Sequence, residues 1–189
     1  STLESIGSKI KYIKTTPPLY AIDFNYLSSQ VSSDTKAILI CNPSNPSGKV
    51  YTKDELNSLS TIVNRNNLVL FSDEMYEHFI YDDLEYTSAL SIESLKNCTV
   101  VISGFSKIYS VTGWRLGYAI STKEVIDNAS SLNDLVYVCP PAPLQQGVLR
   151  GLEKLPKSYY HDVAISHQLK RDKFIKALND IGLKAEYIK

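Results

Sequence analysis

Cysteine is scarce in this sequence. Cys41, Cys98 and Cys139 are the only three in 189 residues, an odd number, widely spaced and set in apolar runs. That excludes a disulfide-stapled scaffold and a clustered metal site, and it fits buried thiols in a reducing, cytoplasmic compartment. Net charge is missing too, because 20 Lys and Arg balance 20 Asp and Glu. No broad field then draws the protein to nucleic acid or to an anionic membrane, so any anion it binds has to be caught locally. No apolar run reaches membrane-spanning length, and the opening STLESIGSKIKYIK has no apolar core of signal-peptide length. Internal repeats and low-complexity tracts are absent. So is a GxGxxG, while Gly48-Lys49 lacks the upstream glycine and the following Ser/Thr of a P-loop. Those two gaps exclude the common nucleotide-binding signatures.

What is present is an ordinary globular composition, 43% hydrophobic and 21% charged, in a chain long enough to bury a core. Short apolar runs alternate with longer helical stretches, the alternation of an α/β protein. Residues 36–41 (KAILIC) and 68–71 (LVLF) read as buried strands flanking a helix over 52–66, a βαβ unit. Thr52 and Glu55 have the spacing of a capping box at the start of that helix. A short helical stretch at 91–96 precedes a third strand at 99–103 (TVVIS), and 116–120 (LGYAI) reads as a fourth. Helical character follows at 123–138, is interrupted by CPPAP at 139–143, and resumes at 144–155 and 159–181.

In open parallel sheets, ligands bind beyond the carboxyl ends of the strands. Three such ends are unusual here. The first strand runs into Asn42-Pro43-Ser44-Asn45-Pro46-Ser47-Gly48, where two prolines stiffen the backbone and Gly48 allows a positive φ, so that an Asn amide is aimed rigidly. The second runs into Ser72-Asp73-Glu74-Met75-Tyr76, and the third into Gly104-Phe105-Ser106-Lys107. Taken singly, each has an ordinary reading. Lys107 is a solvated loop lysine, Asp73-Glu74 is an acid pair at a helix start, Asn45 is turn chemistry, and Tyr76 is packing. Arg115 beside Trp114 is a cation–π pair.

The order and spacing of the set change this. NPSNPSG, then SDEMY, then SGFSK, then GWRLGY with its arginine eight residues beyond the lysine, together resemble the active-site signature of fold-type I pyridoxal-phosphate aminotransferases, the class I/II or aspartate aminotransferase family. The resemblance covers nearly the whole chain. It implies an α/β, three-layer large domain, present in part, followed by the start of a small α/β domain. The expected division is 1–138 for the large-domain part, 139–164 for connecting helices and 165–189 for the beginning of the small domain, with a strand starting at 184–188. It further implies pyridoxal 5'-phosphate as cofactor, carried as a Schiff base on Lys107. Arg115 would grip its phosphate, Asp73 would pair with the ring nitrogen, and Asn45 and Tyr76 would hydrogen-bond the phenolic oxygen. Ser106 is a further candidate for the phosphate.

The implied reaction is amino-group transfer between an amino acid and a 2-oxo acid, by a cytoplasmic homodimer. The same constellation also serves carbon–sulfur lyases, decarboxylases and synthases, because the protein around the cofactor chooses which bond breaks. A non-catalytic piece that keeps the motifs is the other alternative. Two departures stand out. Some family members carry a phosphate-contacting serine three residues before the lysine, where this sequence has Gly104, so that contact is lost or passes to Ser103 or Ser106. Family members also have a longer upstream segment, with a phosphate loop and a ring-stacking aromatic, and a C-terminal domain that binds the substrate carboxylate.

Overall fold

The computed structural model describes residues 2–185 and 187. Its centre is a four-stranded sheet in the order β1-β2-β3-β4, formed by Ala37–Cys41, Val69–Asp73, Thr99–Gly104 and Gly117–Ile120. The first three strands are parallel, with Cys41 beside Asp73 and Asp73 beside Ile102, and β4 returns antiparallel to β3. Expectation and structure agree on the existence of all four strands, but the first is not the buried strand expected: of β1 only Ile40 is buried, because one face of the sheet edge carries no covering layer here. β2 runs two residues beyond LVLF, because the backbone of Ser72 and Asp73 goes on pairing with β1 although their side chains are polar.

The helix between β1 and β2 follows two shorter ones, α1 (Thr2–Ser5) and α2 (Phe24–Gln30), and is numbered α3 (Lys53–Arg65). Its capping box is formed. Thr52 Oγ1 accepts from Glu55 N at 3.1 Å, and Glu55 Oε2 accepts from Thr52 N at 2.8 Å. One face of α3, with Leu56, Leu59, Ile62 and Val63, packs with Leu27 of α2, Ile40 of β1 and Leu70 of β2. Ala89, Ile92 and Leu95, from two 3₁₀ turns in place of the expected helical stretch, complete this core. Side chains alternate across a strand, so Cys41, Asp73 and Ile102 share the opposite sheet face with Leu39. That face is open, with Leu39 63% and Ile102 40% exposed.

Beyond the sheet come α4 (Lys123–Val136), α5 (Ala142–Lys154) and α6 (Ser158–Asp180). α5 begins two residues earlier than expected, since a proline is tolerated in a helix's first turn. α6 is one unbroken helix of 23 residues, closed by Gly182 at φ 83 with Leu183 N bonded back to Leu178 O at 3.0 Å. Of the strand expected at 184–188, Lys184, Ala185 and Tyr187 form none, while Glu186 and Ile188 lie outside the described residues. The cysteine expectation is corrected in one respect. Cys41 and Cys98 are half-buried, but Cys139 is exposed in the stretch before α5. Among the described residues no helix is long and apolar enough to cross a membrane.

Candidate active site

The turn after β1 is held by its first residue. Asn42 is fully buried; its Oδ1 accepts from Tyr51 N at 3.0 Å, its Nδ2 donates to Thr87 O at 3.0 Å, and its own N donates to Asp73 O at 2.8 Å. The rest of the turn closes on itself through Gly48 N to Ser44 O and Ser44 N to Lys49 O, both at 2.8 Å, with Gly48 at φ 76 as expected. On this frame Asn45 stands exposed and donates its Nδ2 to the Tyr76 hydroxyl at 3.2 Å. Its backbone N–H points to Cys41 Sγ at 3.4 Å. Burial nonetheless pushes the Cys41 thiol up, and nearby Asp73 adds to the rise.

Asp73 and Glu74 are neighbours with opposite environments. Asp73 is half-buried at the tip of β2, where its Oδ1 accepts from Met75 N at 3.2 Å. Glu74 is 2% exposed. Its carboxylate accepts from Ser72 Oγ at 2.8 Å, from Ala89 N at 2.9 Å and from the Tyr86 hydroxyl, and its backbone N donates to Ile102 O at 2.7 Å. Burial, followed by the bond to Glu74, pushes the Tyr86 phenol far above its usual range. Glu74 is therefore a structural anchor that fixes the Asp73–Tyr76 turn against β3 and the 86–89 segment. Reading SDEMY as an acid pair missed this; strand alternation past LVLF was the signal that could have separated the two acids.

Lys107 follows β3 and is half-buried, between buried Ser106 and buried Ile108. Its Nζ lies 6.0 Å from the Tyr76 ring centroid, at the outer edge of cation–π range. Asn45, Tyr76 and Lys107 are thus brought together, and Asp73 is the strand-tip residue three before Tyr76. Lys49, at the end of the turn after β1, is 8% exposed and engaged in an ion pair with Glu55 at 2.8 Å. Arg115 is exposed, its Nη1 donating to Thr112 O at 3.0 Å, in the left-handed conformation (φ 54) that ends the 3₁₀ turn Thr112–Trp114. Thr112 Oγ1 in turn donates to Ser106 O at 3.1 Å, which ties the arginine's turn to the lysine's.

Two helix glycines that sequence reading passed over support this loop. A Cβ on Gly147 would stand 2.7 Å from Trp114 Cζ3, and one on Gly151 would stand 3.2 Å from Tyr109 Cε2. Spaced four apart, they give α5 one flat face on which the aromatics beside Arg115 and Lys107 rest. The signal was there, since two glycines inside a helix each cost about 1 kcal/mol of propensity and need a packing reason.

The family model for aminotransferase class I and II matches residues 2–186. The chain belongs to that family. It is 32% identical over 154 residues to aspartate aminotransferase of Sulfolobus acidocaldarius, a match covering 80% of this chain and 38% of that protein. It is 31% identical over 173 residues to kynurenine–oxoglutarate transaminase 3 of Bos taurus, covering 88% and 38%. N-succinyldiaminopimelate aminotransferase from Mycobacterium tuberculosis shares its fold with a TM-score of 0.91 at 26% identity, over 95% of this chain and 47% of that one. For a Thermus thermophilus aspartate aminotransferase double mutant the TM-score is 0.89 at 28% identity, over 97% and 48%. The chain spans about two fifths of the length of the curated relatives it matches. These neighbours are fold-type I aminotransferases, so the α/β class and the partial large domain expected from the sequence hold.

Within the family frame, the Gly104 departure has a steric reason. A Cβ at this position would stand 2.8 Å from Leu116 O and 2.9 Å from Gly117 Cα, so the β3–β4 pairing leaves no room for serine. Ser103 does not replace it, being 2% exposed with its hydroxyl within bonding distance of Glu74 O (3.3 Å) and Glu77 Oε1 (3.1 Å). Ser106 is also buried, 7% exposed.

Proposed function

We propose that the protein carrying this chain is a pyridoxal 5'-phosphate-dependent aminotransferase, moving an amino group between an amino acid and a 2-oxo acid, with Lys107 as the attachment point of the cofactor. The observation that carries the reading is the convergence, beyond the carboxyl ends of three parallel strands, of an amine, a carboxylate and a bonded amide–phenol pair. This donor set fits the group. Asp73 would hold the ring nitrogen, Asn45 and Tyr76 the phenolic oxygen, and Arg115, with Ser106 as a lesser candidate, the phosphate. When bound, the cofactor supplies an electron sink conjugated to the substrate's α-carbon.

The chain's own residues then have defined tasks. Asp73, as a carboxylate, would keep a proton on the ring nitrogen. Asn45 and Tyr76 share a bond at 3.2 Å, so each orients the other and both present donors to one anionic oxygen. Lys107, as a free amine, moves a proton at the substrate α-carbon. Arg115 offers a planar fork that matches two phosphate oxygens. The division at 1–138, 139–164 and 165–189, a homodimeric assembly and a cytoplasmic location belong to the same reading.

Borohydride reduction of the cofactor-loaded protein, followed by peptide mapping, tests it. The adduct is expected on Lys107, together with glutamate formation from 2-oxoglutarate and an amino donor. An adduct on Lys49, or none, overturns it.

A further inference from the structure

Four successive carbonyls, Phe105 to Ile108, surround Lys107, and each accepts a hydrogen bond. Three partners come from the loop itself: Tyr109 N to Phe105 O at 3.1 Å, Thr112 Oγ1 to Ser106 O at 3.1 Å, and Ser110 N to Lys107 O at 3.1 Å. The fourth comes from 51 residues away. The Tyr159 hydroxyl, in the first turn of α6, donates to Ile108 O at 2.9 Å. Next to it the hydroxyls of Tyr160 and Tyr109 bond at 2.7 Å.

α6 is itself anchored two to three turns further on. Arg171 Nη2 holds Asp82 Oδ1 at 2.7 Å, Gln168 Oε1 accepts from Asp82 N at 3.2 Å, and His167 meets Phe79 edge-on at 5.0 Å. Phe79 and Asp82 lie in the segment that follows Tyr76, and Phe79 also packs edge-on against the Tyr76 ring at 6.0 Å. One rigid helix therefore touches both loops whose relative position sets the Lys107–Tyr76 distance.

We infer that Tyr159 is a positioning residue for Lys107: through the Ile108 carbonyl it locks the lysine's turn to α6, and through α6 to the Tyr76 segment. The inference rests on the reading of Lys107 as the cofactor-bearing amine. Removing one hydroxyl should loosen the turn without unfolding the protein, because the other three carbonyls keep their partners.

The test compares the wild type, Tyr159→Phe and Val63→Ala in the full protein. Val63 is a fully buried residue of α3 and serves as a destabilised control remote from the loop. In cofactor-free protein, amide hydrogen exchange over 105–110 is expected to quicken by about 2- to 12-fold in Tyr159→Phe, the factor given by loss of one neutral hydrogen bond. Exchange in α3 should stay put, and Val63→Ala should show the reverse pattern. In loaded protein, Tyr159→Phe should lower kcat by a similar factor and leave KM for the amino donor within about twofold. An adduct on Lys107 in the wild type with exchange over 105–110 unmoved by Tyr159→Phe overturns this inference alone. Absence of any adduct on Lys107 in the wild type overturns the functional reading, and this inference with it.

Discussion

Glu74→Ala is expected to be among the costliest single substitutions in this chain, and the structure sets its size. The change removes the acceptor of three donors, two of which, Ser72 and Ala89, lie in fully buried residues. A buried donor left without a partner costs about 1–3 kcal/mol. Ser72 can rotate its hydroxyl toward another acceptor and Tyr86, only partly buried, can turn to water, but the Ala89 N–H is fixed by its backbone. Allowing for those escapes gives a loss of about 3–5 kcal/mol, a large share of the roughly 5–15 kcal/mol that holds a domain together. The opposing effect is relief of the cost of burying a carboxylate, which can cancel or exceed such losses when the replacement packs well.

Two companion variants separate these effects. Glu74→Gln keeps one oxygen for Ser72 and Ala89 and turns an amide toward Tyr86, whose hydroxyl must then accept, so about 1 kcal/mol should be lost. Glu74→Leu fills the space and strands the same donors as alanine. Urea unfolding of the full protein, followed by circular dichroism, ranks the three. If alanine or leucine costs less than about 1 kcal/mol, desolvation governs the site and the anchoring role given to Glu74 is wrong.

Two further outcomes are expected. Gly147→Ala gains about 1 kcal/mol of helix propensity but drives a methyl to 2.7 Å from Trp114, an overpacking worth about 1–3 kcal/mol; it should destabilise in the wild type and stabilise in a Trp114→Leu background, and a stabilising effect in both would refute the seat. His78 packs against the Tyr160 ring at 4.7 Å beside Glu77 (4.0 Å), with Asp82, Asp83 and His161 lining the same cleft, and burial lowers its pKa despite the raising effect of Glu77. The unfolded chain then binds this proton more readily than the folded one, so stability should fall as pH drops below about 6.5 and level off below the folded value; an equal urea-midpoint difference between pH 5.5 and 7.5 in wild type and His78→Gln would refute the assignment.

The parts of the fold that were legible in sequence are those where local signals and tertiary demands coincide. The apolar run of TVVISG is buried, with only Ile102 open. AILIC shows its strand through its apolar run although only Ile40 of it is buried, and α3 announces itself through a capping box that the structure forms atom for atom. α2 was missed because its seven residues are too few to show a period, although Asp23 caps it by accepting from Tyr26 N at 2.9 Å. The direction of β4 could not be read either, since antiparallel pairing depends on the turn that Arg115 closes rather than on GYAI itself. At the site, the spacing of NPSNPSG, SDEMY and SGFSK located the convergent residues. It gave no sign that Asn42, rather than Asn45, carries the turn. The supports at Tyr159, Gly147 and Gly151 lie far along the chain and serve the loop only once α5 and α6 have folded back on it.

That distant support bears on Arg115. A non-glycine residue in the left-handed region costs on the order of 1 kcal/mol or more and persists only where its surroundings over-determine it. Here the constraint comes from both sides. Before the arginine, Trp114 rests on the Gly147 face of α5 and Thr112 is tied to Ser106 O. After it, Leu116 is 6% exposed and its carbonyl accepts from Phe105 N at 3.2 Å. With both neighbours pinned, the chain must turn sharply at 115 to bring Gly117 against Gly104 in the β3–β4 ladder. Glycine would relieve the strain, yet the position holds the one side chain that offers a bidentate fork. The backbone cost is accepted at the residue to which the proposed function gives the phosphate, and the same closed loop carries Lys107 eight residues earlier. The strained residue, the glycine seats and the Tyr159 bond to Ile108 O all act on the one loop that carries Lys107 and Arg115.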